Sequence, residues 1–244
     1  MFFTIITATF NSAKTINRNI NSVSDQSYKN FEQIFIDGGS IDNTKQIITN
    51  NSKYLNYKFY DLSVKGIYNA FNLGLKLANG KYLIYLNSDD YFFDNDILYN
   101  VHKCILENKY PDLIYGDINY VNSSEKIVRK WKSNKFHKIR LNFGWCPPHT
   151  GTFLSSKIAK KYQFNPTFNI SADYDFMLKI LNHKDIRIYY LQRVVTNMFK
   201  GGASNNFKNL LKVFSQDYSI SRSYFKFPLI NVISKKLLKI IQFF

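Results

Sequence analysis

Cysteine is scarce in this chain, with only Cys104 and Cys146. Two thiols cannot build a disulfide scaffold or a cysteine-based zinc module, and they fit a reducing compartment. Long apolar runs are missing as well. No stretch of about 18 uncharged apolar residues occurs, so no ordinary transmembrane helix is expected. No basic region precedes the apolar start of the chain, so no signal peptide is expected. Acids are few: 17 Asp and Glu stand against 33 Lys and Arg, a formal net charge of +16.

What is present is enough for a sizeable core. The chain has 244 residues, 45% hydrophobic and 20% charged, which excludes wholesale disorder. Its 22 Phe and 18 Tyr suit strands and apolar surfaces. The charge is uneven. Residues 1–100 hold nine basic and nine acidic side chains, whereas residues 101–244 hold 24 basic and eight acidic ones. A basic half implies an anionic partner: nucleic acid, an anionic membrane surface or a phosphate-bearing substrate.

Strand and helix patterns alternate through the first ninety residues. Phe2–Thr9, Phe31–Ile36, Tyr57–Leu62 and Lys81–Leu86 read as strands, apolar and rich in β-branched or aromatic residues. Residues 13–26, 42–51 and 67–78 read as the helices between them. This alternation predicts an α/β fold with a mostly parallel central sheet and flanking helices. Ligands in such sheets bind beyond the carboxyl ends of the strands. Asn11, Asp37 and the pair Asp89 and Asp90 fall there, each after a different strand. After residue 110 the pattern loosens. Residues 112–120 and 126–131 form a strand-pair candidate, residues 155–162 and 173–182 look helical, and a basic, apolar tail follows residue 205.

Two adjacent carboxylates in Asn87-Ser88-Asp89-Asp90 repel each other unless a cation or donors lie between them. Either a turn pair or a divalent-ion site fits, and the strand end favours the ion, with Mg²⁺-like cations completed by substrate phosphates. Asp37-Gly38-Gly39-Ser40 is a glycine turn, neither a dinucleotide fingerprint nor a phosphate loop. Asp173 opens a helix, where an acid serves either as a cap or as a general base. His149 follows two prolines, which fix its backbone.

Eight segments in order resemble glycosyltransferase family 2, inverting sugar transferases with a GT-A fold. They are Ala8-Thr9-Phe10-Asn11, Asp37-Gly38-Gly39-Ser40-Ile41-Asp42-Asn43-Thr44 and Lys65-Gly66-Ile67-Tyr68-Asn69-Ala70-Phe71-Asn72-Leu73-Gly74, then Leu86-Asn87-Ser88-Asp89-Asp90 and Ile114-Tyr115-Gly116-Asp117. Pro148-His149 before Phe153, Ala172-Asp173-Tyr174-Asp175 and Gly201-Gly202-Ala203-Ser204 complete the set. The nearest subgroup builds bacterial O-antigen, capsule or exopolysaccharide.

The resemblance implies a GT-A domain over residues 1–204, with a nucleotide-sugar half at 1–100 and an acceptor half at 101–204. It implies that Ala8, Phe10, Asn11, Asp37, Lys65, Asn87 and Asp89 bind the nucleotide sugar, UDP-linked by preference, with Asp37 accepting from the uracil N–H. Asp90, with Asp89, would ligate Mn²⁺ or Mg²⁺. Asp173 would be the general base, and His149 and Tyr174 would meet the acceptor or the diphosphate. Two positions depart from the family pattern: Val64 stands where many relatives carry an acid, and Asn69 replaces a common Asp. The competing readings are a basic nucleic-acid-binding protein and an inactive scaffold. No nucleic-acid signature occurs, and Asp37, Asp89, Asp90 and Asp173 are all intact, so neither is preferred.

Residues 205–244 form a basic amphipathic extension. Lys235, Lys236 and Lys239 mark one side, and Ile233, Leu237, Ile240 and Phe244 form a stripe on the other. Such a helix suits an anionic membrane interface, or packing on the domain or on a second subunit in a homo-oligomer. With lipid-linked saccharide acceptors implied by the resemblance, the expected place is the inner face of the cytoplasmic membrane.

Overall fold

The computed structural model describes residues 1–51, 56–201 and 209–241, without the side chains of Ile240 and Ile241. Gly202-Ala203-Ser204 and Phe244 therefore lie outside the described residues. The apolar runs β1 (Phe3–Thr9) and β2 (Phe31–Asp37) are buried along their whole length, as strands covered on both faces must be. β3 (Tyr57–Asp61) is more exposed and ends the sheet. The helices α1 (Ile16–Ser24), α2 (Thr44–Asn51) and α3 (Ile67–Leu77) connect these strands to one another and to β4 (Tyr82–Tyr85). The four strands lie in the order β3-β2-β1-β4, all parallel.

The rest of the sheet is mixed. β5 (Tyr91–Phe92) and α4 (Ile97–Glu107) come first. β6 (Leu113–Val121) and β7 (Ile127–Trp131) form the antiparallel pair read from the sequence. β8 (Thr152–Ser155) runs antiparallel to both β4 and β6, and so joins the halves. β9 (Ile188–Phe199) runs parallel to β6 and antiparallel to β5.

After β8 come α5 (Ser156–Ala159) and α6 (Ala172–Leu181), the latter buried on nearly every side. Phe164 stacks on Phe176 of α6 at 4.1 Å between ring centres and meets Tyr85 edge-on at 4.9 Å. Those rings lock α6 against the sheet, and with it the acid at its first turn.

The tail forms α7 (Leu210–Tyr224) and α8 (Pro228–Ile241). Asn231, fully buried, fastens α8 to the body. Its Nδ2 donates to the Leu141 carbonyl at 2.6 Å, and its Oδ1 accepts from Tyr174 Oη at 2.8 Å and Ser221 Oγ at 2.9 Å. Gly144, at φ +73°, makes the close approach possible. A Cβ there would fall 2.5 Å from Lys235 Cβ and 2.6 Å from the Asn231 carbonyl oxygen.

The tail's orientation corrects the expectation from sequence. Lys235, Lys236 and Lys239 face a cavity of the domain, while Leu229, Ile230, Ile233 and Leu237 are each about half exposed. The buried Asp217, which Lys235 Nζ meets at 2.9 Å, gives the cationic face a reason to turn inward.

Candidate active site

Three loops interlock at the carboxyl ends of β1, β2 and β4. Ser12 Oγ lies 2.8 Å from Ser88 Oγ, and Ser12 N donates to Thr44 Oγ1 at 2.7 Å. Asn11 adopts φ +49°. Its Oδ1 accepts from Ile41 N at 3.0 Å, and its own N–H donates to Ser40 Oγ at 2.9 Å. Ala8 is buried at the floor, Phe10 is 63% exposed at the rim, and Lys65 is exposed beside them. Gly38 keeps this crevice open: a Cβ there would come 3.1 Å from the Val64 carbonyl oxygen and 3.5 Å from the Phe10 ring.

Asp37 is fully buried and its carboxylate is engaged on both oxygens. Its Oδ1 accepts from Thr9 Oγ1 at 2.9 Å and Ser40 Oγ at 2.6 Å, and its Oδ2 accepts from Gly39 N at 3.0 Å and Ser40 N at 2.7 Å. A carboxylate offers about four lone-pair sites. Thr9 of β1 and the loop itself fill them, so Asp37 shapes the loop. A uracil N–H would have to displace one of those donors.

The two acids after β4 differ. Asp90 is 1% exposed, and its Oδ1 accepts from Phe199 N at 3.0 Å while its Oδ2 accepts from Asn87 Nδ2 at 2.8 Å. Asp89 is half-buried. Burial holds the Asp89 carboxyl above its usual range. Burial, then the charge of Asp89, holds Asp90 well above it. Asn87 Oδ1 is buried without a hydrogen-bond partner among the described residues. Two destabilised carboxylates and an orphaned carbonyl oxygen fit a hard divalent cation. Among the described residues, no group of three or more His, Cys, Asp or Glu could hold a metal. The remaining ligands would therefore be phosphate oxygens and water.

Asp173 sits in the first turn of α6, and Tyr120 lies under the charge of both Asp173 and Asp90. His149 Nδ1 lies 3.4 Å from Asp173 Oδ2, and Tyr68 Oη lies 3.5 Å from Asp173 Oδ1 while donating to the Ile170 carbonyl at 2.7 Å. The Asp173 side chain is 36% exposed, open to a cavity of about 1070 Å³. Burial opposes its ionisation, but the His149 hydrogen bond and charge, with Lys235 behind, outweigh it and hold the carboxyl below its usual range. The result is an ionised carboxylate facing an open cavity, the arrangement a general base requires. Tyr174 also lines the cavity, yet its hydroxyl is committed to Asn231, so it holds α8 in place rather than reaching for a ligand.

Asn19, Tyr68 and Tyr120 join the site without having been given a role from sequence, and Arg129, read there only as part of a basic face, joins them. Asn19 is buried on α1, donating Nδ2 to the carbonyls of Asn87 and Asp90, both at 2.9 Å, and accepting from Gln33 Nε2 at 2.8 Å. A polar residue within the Ile16, Ile20 and Val23 stripe was the available signal. Tyr68 belongs to the quoted Lys65–Gly74 segment. Tyr120 lies between the two sides: burial pushes its hydroxyl up to about 12, opposed by Arg129 and reinforced by Asp90 and Asp173. Arg129 lies 4.3 Å over the Tyr120 ring.

The sequence model described as glycosyl transferase family 2 matches residues 4–166. The chain belongs to that family and is a glycosyltransferase. A PGL/p-HBAD biosynthesis glycosyltransferase of Mycobacterium bovis is 29% identical over 207 residues, covering 83% of this chain and 79% of the relative. The crystal structure of S. aureus TarS 1-349 in complex with UDP-GlcNAc superposes with a TM-score of 0.68 at 20% identity, over 91% of this chain and 66% of that one. The mannosyltransferase PcManGT of Pyrobaculum calidifontis, in complex with GDP-Man and Mn²⁺, gives 0.68 at 17% identity, over 97% of this chain and 69% of that one. The fold is the GT-A fold. Among the described residues, no helix is long and apolar enough to cross a membrane.

Proposed function

We propose that the chain is an inverting, metal-dependent transferase that moves a sugar from a nucleotide-sugar donor, UDP-linked by preference, to a saccharide acceptor in bacterial surface polysaccharide assembly. The observation that carries this reading is Asp173, ionised and open to a cavity whose Tyr120 lies under the charge of both Asp173 and Asp90. The nucleotide occupies the crevice of Ala8, Phe10 and Asn11, with Lys65 at its mouth. Asp90 and Asp89, with Asn87 Oδ1 beside them, would offer oxygens to Mn²⁺ or Mg²⁺. The cation supplies Lewis-acid stabilisation of the departing nucleoside diphosphate. Asp173 takes the proton of the acceptor hydroxyl as its oxygen bonds to the anomeric carbon and the bond from that carbon to the diphosphate breaks. His149 keeps the base ionised and oriented. Attack opposite the leaving group inverts the anomeric configuration, without a covalent enzyme intermediate.

A screen of nucleotide sugars, read by released nucleoside diphosphate with and without Mn²⁺, tests the reaction. One donor should stand out and need the ion, and NMR of the product should show the inverted anomer. Turnover at full rate in excess EDTA, or a retained anomer, overturns the mechanism.

The half-exposed Leu229, Ile230, Ile233 and Leu237, with the basic excess of residues 101–244 rather than the inward-facing lysines of α8, support association with an anionic membrane carrying a lipid-linked acceptor. The full chain should sediment with anionic liposomes at low salt, and Ile233→Ser with Leu237→Ser should abolish most of that binding. Unchanged sedimentation of the double variant rules out this face.

A further inference from the structure

The segment Ile114-Tyr115-Gly116-Asp117 takes no part in the reaction described above, yet Asp117 lines a second cavity, of about 600 Å³. This groove lies over β6, β7 and β9. Lys130, Trp131, Lys132 and Asn134 line both the groove and the cavity beside Asp173, so the two spaces adjoin along the end of β7. A site carried by strands of one sheet is held more precisely than one carried by loops.

The side chains in the groove are fixed before any ligand arrives. Tyr190 stacks on Tyr115 at 5.1 Å between ring centres, and its hydroxyl donates to Asp117 Oδ1 at 2.7 Å. Tyr115 Oη in turn donates to the Asn134 carbonyl at 2.7 Å. Ser133 N donates to the same Asp117 Oδ1 at 2.8 Å. Both bonds fall on one oxygen, so Asp117 Oδ2 keeps its lone pairs without a partner among the described residues. Trp131 is half-buried, while Asn134 and Gln192 are exposed and line the groove with their amides. A sugar ring presents C–H faces together with hydroxyls that both donate and accept. Aromatic surface suits the faces, and carboxylate and amide groups suit the hydroxyls. A cavity of this size with a few placed polar groups has the form of a small-ligand site.

We propose that this groove is a second carbohydrate subsite, which holds a sugar of the acceptor at least one residue away from the attacking hydroxyl. The acceptor is then an oligosaccharide that runs past Trp131 from the groove to Asp173. The inference rests on the Asp173 cavity as the acceptor site. No bond changes in the groove: Asp117 Oδ2 accepts from a sugar hydroxyl, and Trp131 and Tyr190 offer apolar ring surface.

Calorimetry on the full chain tests this without turnover. The probes are the mono-, di- and trisaccharides of three series: glucose to maltotriose, N-acetylglucosamine to chitotriose, and mannose to mannotriose. In at least one series affinity should rise at least about tenfold from one ring to three. Asp117→Asn keeps an acceptor at Oδ1 and puts a donor in place of Oδ2, so it should remove about tenfold of the trisaccharide's affinity. Gln192→Ala, at an exposed position, should weaken the trisaccharide in the same direction and carries the test if Asp117→Asn does not fold. Affinity that stays flat with length in all three series overturns the proposal, and so does a rise that both folded variants leave intact. No donor is present in these titrations. Absence of nucleoside diphosphate release in a separate donor assay therefore counts against the glycosyl-transfer reading and not against this subsite.

Discussion

Across β4 the molecule changes character. On one side β3, β2, β1 and β4 run parallel, the helices alternate with them, and residues 1–100 carry no net charge. On the other side β5, β7 and β8 run against their neighbours, and the basic excess of the chain is concentrated. The first region encloses its site with hydrogen bonds between loops, as in the four donors on Asp37. The second uses opposed charges around a cavity.

Substitutions that separate the two sides sharpen that contrast. The largest effect is expected at the base. Asp173→Asn keeps the shape and removes the basicity, so kcat should fall by roughly 10²–10⁴-fold. Donor affinity by calorimetry should stay as it is; its collapse would make Asp173 part of the donor side and blur the division. Next comes the metal loop: Asp89→Asn should lower kcat/KM on the order of 10³-fold, the loss of several kcal/mol of charge stabilisation. Here donor affinity in Mn²⁺ should fall as well, and an unchanged titration would leave Asp90 as the ligand that matters.

Asn19→Ala removes the donor shared by the Asn87 and Asp90 carbonyls. We expect a stability loss of about 1–3 kcal/mol in urea melts, with metal affinity weakened roughly 10–100-fold. Loss of stability without loss of affinity would show that the loop holds its shape unaided.

On the acceptor side, Gly144→Ala pushes a methyl group into Lys235 and the Asn231 carbonyl of α8, at a backbone angle that disfavours alanine. It should cost about 1–3 kcal/mol, and acceptor KM should rise more than donor KM. The smallest effect is a shift in a pH profile. His149→Gln removes a hydrogen bond and a charge that lower the Asp173 carboxyl, while its burial stays. The acid limb of kcat should therefore move to higher pH, and an unmoved limb would take His149 out of the base's environment.

The neutral half was legible because its strands are rich in apolar, aromatic and β-branched residues and α1 and α3 show regular apolar stripes. Asn11, Asp89 and Asp90 followed from strand ends alone, and the resemblance supplied their roles. The other half hid its elements. β8 spans only Thr152–Ser155, too short for any period, and β9 mixes polar and apolar residues because its register shifts against β6. α4 carries a usable stripe in Ile97, Val101, Cys104 and Ile105 that went unread. No pattern in the tail could show which way its lysines face, since the buried partners Asp217 and Asn231 reveal themselves only in three dimensions. The donors on Asp37 were hidden for a similar reason: they come from separate parts of the loop and from β1.

The bond from Phe199 N to Asp90 Oδ1 spans 109 residues of chain. During synthesis, Asp90 emerges with the parallel strands around it, but its backbone donor arrives roughly 5–20 s later at ordinary translation rates. The nascent loop after β4 thus waits without one of its bonds until β9 comes in beside β6. Assembly order itself then acts as a safeguard: a truncated or stalled chain ending before Phe199 lacks the backbone donor that completes the Asp90 loop.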